Sequence, residues 1–129
     1  MNEISSLLSK EIPELKAVYV FGSFARKNTR QDSDIDIAIL PPKPLKKMDI
    51  FLLSQHLSEI LHRDVDLIDL LSASTVFRFQ IISTGKRIYC SDANQCAYFE
   101  MLAYSMYYRF NEERKPLLDA IRKRGSIFL

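Results

Sequence analysis

Gly22 and Ser23 are followed, after ten intervening residues, by Asp34-Ile35-Asp36. Aspartate is disfavoured within strands, yet Asp34 and Asp36 alternate with Ile35, Ile37 and Ile39. A strand over 34–40 therefore turns both carboxylates to one face and the isoleucines to the other. Two like charges side by side call for a cation, and their hard oxygen atoms suit Mg²⁺, which keeps waters and binds one or two carboxylates together with substrate phosphates. Gly22 lets a ligand approach the backbone closely, and Ser23 is placed to open a short helix whose free N–H groups receive phosphate oxygens. Arg26, one turn on, is positioned for a bidentate phosphate contact. The chain has only 3 glycines, so one directly ahead of a serine and a paired aspartate, between two strand-like runs, is a demanding coincidence.

A site that holds two metal ions expects a third carboxylate, and Asp64-Val65-Asp66-Leu67-Ile68-Asp69 supplies candidates. Asp66 is the choice, because it falls inside the strand pattern, where an unpaired aspartate is costly unless a metal or a proton compensates. Asp64 shares its face one step earlier, and Asp69, out of phase with Asp66, is the runner-up. Each residue also has an ordinary role: Ser23 as a helix N-cap, Gly22 as a turn residue, Asp34 and Asp36 as charges that keep a strand edge soluble, Arg26 as a surface cation. His56 and His62 lie six apart on or beside a helix and do not share a face, so they are read as surface residues rather than ligands.

Apolar spacing of three and four predicts a helix over 4–12, with Asn2 as its N-cap and Pro13 closing it. Residues 17–21, Ala-Val-Tyr-Val-Phe, form a continuous run that fits a strand buried on both faces. After the strand over 34–40, Pro41, Pro42 and Pro44 stop the chain. A helix follows over 45–61, a strand over 65–70, a helix over 74–83 ended by Gly85, and a short strand over 87–90. The last helix runs from 93 toward 114, where Pro116 kinks or restarts it. It carries two apolar stripes on nearly opposite sides: Ala97, Met101, Tyr104 and Tyr108, and Phe99, Ala103, Met106 and Phe110. One stripe can pack on the sheet, and the other needs a different cover. The order is α-β-β-α-β-α-β-α, an α/β (α+β) arrangement with a mixed sheet of about four strands and a long C-terminal helix.

The chain of 129 residues suits a single domain over 1–129. Its composition, 47% hydrophobic and 26% charged, is that of a globular protein and excludes disordered or fibrous classes. A net charge of +2 is far from the basic excess of a nucleic-acid binder, so no direct nucleic-acid contact is expected. Arg122, Lys123 and Arg124 read as a solvated helix end, where the helix dipole favours cations. Cys90 and Cys96 fit neither a dense disulfide framework nor a metal motif and are read as reduced thiols. No signal peptide and no apolar run of spanning length is present, which gives a cytoplasmic expectation without a membrane role.

The Gly22-Ser23 and Asp34-x-Asp36 spacing resembles the nucleotidyltransferase superfamily related to DNA polymerase β. The Val65-to-Leu70 strand and the Gly85-to-Tyr89 segment look like its minimal members, the antitoxin partners of HEPN-domain toxins. The resemblance runs from about Ala17 to Asp119. It implies a nucleotidyltransferase palm that uses Mg²⁺, with two ions, and ATP to transfer AMP to a hydroxyl with release of pyrophosphate. In the toxin-antitoxin members that hydroxyl belongs to a tyrosine of the HEPN partner. Carried onto this chain, Gly22 and Ser23 would hold the β- and γ-phosphates, Asp34 and Asp36 would bridge the metals, and Asp66 would complete the metal site. The last helix, around Met101, Tyr104 and Tyr108, would receive the toxin. Two alternatives fit the same residues: a small hydroxylated acceptor such as an aminoglycoside, and a binding module that neutralises its partner by occlusion.

Overall fold

The computed structural model describes residues 2–22 and 34–123. Strand β1 (Ala17–Phe21) and strand β2 (Ile35–Leu40) form the middle of a four-stranded sheet, flanked by β3 (Val65–Asp69) and β4 (Lys86–Cys90) in the order β3-β2-β1-β4. β1 pairs antiparallel with both β2 and β4, whereas β2 and β3 run parallel. The unbroken apolar run of β1 has its explanation here: an inner strand covered on both faces has no side left for polar residues.

Two helical layers cover the sheet. On one face, α1 (Asn2–Glu11) and α2 (Lys47–Leu61) bring Leu8 and Leu57 onto Ile35, Ile37, Ile39 and Leu67. On the other, α3 (Thr75–Thr84) and α4 (Ala93–Lys123) bring Ile81, Cys96 and Ala103 onto Ala17, Tyr19, Ala38 and Leu40. Alternation along β2 decides where its carboxylate goes. With Ile35, Ile37 and Ile39 committed to the α1/α2 side, Asp36 shares the α3/α4 side with Ala38 and Leu40.

The element order is the one the sequence predicts, and most boundaries agree within a residue or two. α1 already includes Asn2, and β2 begins at Ile35, leaving Asp34 just ahead of it. Ser74 caps α3, its Oγ accepting the Phe77 N–H at 3.2 Å. The larger difference is at Pro116, where α4 continues as one helix of 31 residues instead of restarting. Proline removes a single helical N–H, and around it Glu112 to Lys123 is exposed throughout, so water can satisfy the carbonyl that loses its partner.

Gly85 makes the tight passage from α3 to β4. Its N–H donates to the Ile81 carbonyl at 2.8 Å, and a Cβ there would stand 2.5 Å from that oxygen and 3.1 Å from the Val20 carbonyl. Both neighbours are backbone and cannot swing aside. Gly85→Ala is expected to cost about 1–3 kcal/mol, as overpacking does, read as a lower urea midpoint at an unchanged m-value.

Candidate active site

The register of the central strands builds the site. Phe21, the last residue of β1, lies opposite Asp36, and Asp36 lies opposite Asp66 on the parallel neighbour β3. Gly22 follows with φ +71°, in the left-handed region that L side chains avoid. A Cβ on Gly22 would run into Oδ2 of Asp36. The glycine therefore does two things: it turns the chain out of β1, and it leaves the Asp36 carboxylate open beside the backbone.

Asp36 is half-buried, while Asp34 and Asp66 are exposed. Burial, then the negative charges of Asp66 and Asp34, raise the Asp36 carboxyl above its ordinary value. Three carboxylates thus act electrostatically on one spot. Among the described residues, no three acidic, histidine or cysteine side chains converge as a finished metal cage. The donor set still fits Mg²⁺, which takes few protein oxygens and completes its shell with water and phosphate. The fit is also electrostatic, since a cation is what relieves the repulsion felt by Asp36.

Asp66 and Asp69 have opposite environments. The sequence argument places Asp66 inside the strand and uses the cost of burying it. The structure exposes Asp66 because β3 is an edge strand, so the desolvation argument transfers to Asp36. Asp69 is 7% exposed, and its carboxylate is already occupied: Oδ2 accepts the Leu45 N–H and Oδ1 the Leu71 N–H, both at 2.9 Å. Asp69 ties the segment before α2 to the turn after β3, as a buried carboxylate satisfied by backbone donors. Arg78 reinforces that turn, donating to the carbonyls of Leu70, Leu71 and Ala73.

Ser23 and Arg26, the expected phosphate ligands, lie outside the described residues. His56 and His62 are exposed, in and at the C-terminal end of α2. Sequence reasoning missed a polar knot on the α3/α4 side. The Tyr19 hydroxyl donates to Glu100 Oε1 at 3.0 Å, and Arg87 reaches the same oxygen at 3.3 Å. Burial, helped by Glu100, pushes the Tyr19 phenol above its ordinary value. Tyr19 in an otherwise apolar strand was the available signal, since a buried tyrosine hydroxyl needs a partner.

Residues 2–94 match the family described as Polymerase beta, Nucleotidyltransferase. Protein adenylyltransferase MntA of Shewanella oneidensis is 37% identical over 120 residues, which are 93% of this chain and 86% of that protein. A crystal structure of a toxin-antitoxin with AMP-PNP aligns at a TM-score of 0.85 and 36% identity, over 94% of this chain and 97% of the other. A complex of a tri-AMPylated Shewanella oneidensis HEPN toxin with MNT antitoxin aligns at 0.79 and 36% identity, covering 94% of each chain.

The raised Asp36 carboxyl has a definite sign. Above its ordinary value the unfolded chain carries the charge freely while the folded chain resists it, so stability falls as pH rises through that window. In EDTA at neutral pH, Asp36→Asn is expected to melt higher than the wild type, and below the window the two should converge. Added Mg²⁺ should raise the wild-type midpoint and leave the variant's unchanged. Asp69→Ala should instead cost about 1–3 kcal/mol of stability through its orphaned N–H groups, with the Mg²⁺ response retained. Thermal melts with and without the metal check both.

Proposed function

The chain belongs to the polymerase β nucleotidyltransferase family, and from that premise we propose that it is a protein adenylyltransferase, an antitoxin that transfers AMP from ATP to a tyrosine hydroxyl of a HEPN-type toxin. The observation that carries the reading is the carboxylate set: Asp36 opposite Asp66 on paired parallel strands, Asp34 beside them, and Gly22 backed against Asp36. The likeness to MntA and to the toxin complexes supports the choice of acceptor.

In this reading the triphosphate lies beside the backbone of Gly22, and Ser23 and Arg26, as the family resemblance implies, would supply hydrogen bonds and charge to its phosphates. Asp34 and Asp36 would hold Mg²⁺, which takes carboxylate and phosphate oxygens together. Asp66, exposed on the edge strand opposite Asp36, would complete the metal site that activates the acceptor hydroxyl. In the reaction the acceptor oxygen forms a bond to the α-phosphorus in line with the bridging oxygen, whose bond to that phosphorus breaks as pyrophosphate leaves. The acceptor proton passes to the carboxylate side of the site and on to water. Two Mg²⁺ ions in this position would supply a lowered hydroxyl pKa and a neutralised leaving group.

The structure also separates the two stripes of α4. Phe99 and Ala103 pack on the sheet, whereas Ala97, Met101, Tyr104 and Tyr108 are exposed. Met106 and Phe110 of the inner stripe also emerge, because that end of α4 runs past the sheet. Phe79 of α3 stacks on Tyr107 at 3.7 Å between centroids and meets Tyr104 edge-on, which holds the outward aromatic surface in place. We assign the toxin contact to this surface. An apolar patch of this kind marks a protein interface, and the mixed charge of the chain offers nothing for a nucleic acid.

Incubation with the cognate toxin, ATP and Mg²⁺ should add whole AMP units to the toxin's intact mass. Asp34→Ala with Asp36→Ala should abolish the gain and leave the complex intact, and Asp66→Ala alone should slow it at least about 100-fold, as loss of a metal-site group does. Full neutralisation of the toxin by the double variant would sink the catalytic account. Met101→Ala with Tyr108→Ala should weaken association while ATP binding persists; unchanged association would remove α4 as the docking surface.

A further inference from the structure

The two cysteines take no part in the site, yet the fold brings them together. Cys90 ends β4 and Cys96 lies in the first turn of α4. Cys90 faces Ala17 in the β1/β4 register, so the pair sits at the opposite end of β1 from Gly22. Both are free thiols, and the Cys90 thiol donates to Cys96 Sγ at 2.6 Å, well inside ordinary contact between sulfurs. Cys96 is 0% exposed and also lies against the Lys16 carbonyl, 3.5 Å away. Cys90 is only half-buried.

The segment between them is fixed at both ends. The Ser91 N–H donates to the Lys16 carbonyl at 2.9 Å, and the Cys96 N–H donates to the Asp92 carbonyl at 3.0 Å. Asp92 Oδ1 accepts from the Asn94 N–H at 2.9 Å and from the Gln95 N–H at 3.3 Å, capping the helix start. The thiols are therefore held at contact by backbone hydrogen bonds from both elements. Closing a bond between them requires no change of register or helix position.

We propose that Cys90 and Cys96 form a reversible dithiol–disulfide pair, a modification site for small dialkyl disulfides that staples the start of α4 to the end of β4. Cys90, the less buried of the two, attacks one sulfur of the oxidant. A mixed disulfide forms on Cys90, the oxidant's S–S bond breaks, and the first small thiol leaves with the Cys90 proton. Cys96 then attacks Cys90 Sγ, and the second small thiol leaves with the Cys96 proton. Two electrons pass from the two cysteines to one oxidant molecule, which becomes two thiols. The order follows from burial, which, with the neighbouring Cys90 thiol, pushes Cys96 up to about 11. Cys96 is thus a poor nucleophile toward solution and acts on the sulfur already beside it.

The test treats the full chain with cystamine, followed by denaturation, alkylation of remaining thiols and intact-mass measurement. The expected product has lost two hydrogen atoms, takes up no alkylating agent and returns to the dithiol with dithiothreitol. Its thermal midpoint is at or above that of the reduced protein. Cys96→Ala should stop at one cysteamine adduct on Cys90, and Cys90→Ser should resist the reagent while folded. A wild-type protein that retains a stable cysteamine adduct, or two alkylated thiols, would overturn the proposal, as would a lower midpoint on oxidation.

Discussion

Asp36 and Asp66 stand opposite each other on two hydrogen-bonded parallel strands, and neither can withdraw from the other without breaking the sheet. Both backbones are fixed by the ladder, and the β2 register is locked by Ile35, Ile37 and Ile39 in the core. A slip by one residue would carry the isoleucines into the opposite layer and Asp36 into the α1/α2 core. Apolar burial therefore holds a like-charge contact in place. Asp34 adds its charge from just ahead of β2, and burial first, then the charges of Asp66 and Asp34, raise the Asp36 carboxyl. A divalent cation in this place would relieve that repulsion, which is the physical ground for the proposed metal site.

The rest of the molecule protects that arrangement. Gly22 is the one residue type that can leave β1 at φ +71° without striking the Asp36 carboxylate. Asp69, three residues beyond Asp66, is chemically identical to it and yet serves the fold, because its oxygens are taken by the N–H groups of Leu45 and Leu71. On the far side of the sheet edge, Ser54 and Ser58 of α2 bond the carbonyl and N–H of Val65. They close the outer edge of β3 next to Asp66, so the strand that presents the carboxylate is discouraged from pairing with another chain at that point.

α4 answers a different need. Cys96, Phe99 and Ala103 secure its first turns to the sheet, and the Tyr19–Glu100–Arg87 knot adds polar specificity to that contact. Beyond Ala103 the helix leaves the sheet, and its exposed apolar side chains are those that an acceptor-bearing partner can cover. Under the proposed function, this surface supplies binding energy that orients the acceptor hydroxyl.

The amino-acid sequence sufficed for the element order, the two inner strands and the paired aspartates, because each is written in a local period: two for strands, near 3.6 for helices, with glycine and proline as stops. It also carried the Gly22-Ser23 and Asp34-x-Asp36 spacing on which the family resemblance rests. Packing set Asp66 and Asp69 apart, one exposed on an edge strand and the other captured by backbone donors, because both environments depend on residues far away in the chain. The same holds for which stripe of α4 faces outward, for the continuation of that helix through Pro116, and for the meeting of Cys90 with Cys96. Local pattern fixes the direction of a side chain within its element. What stands opposite it, a carboxylate, a donor or water, is set by how the elements pack.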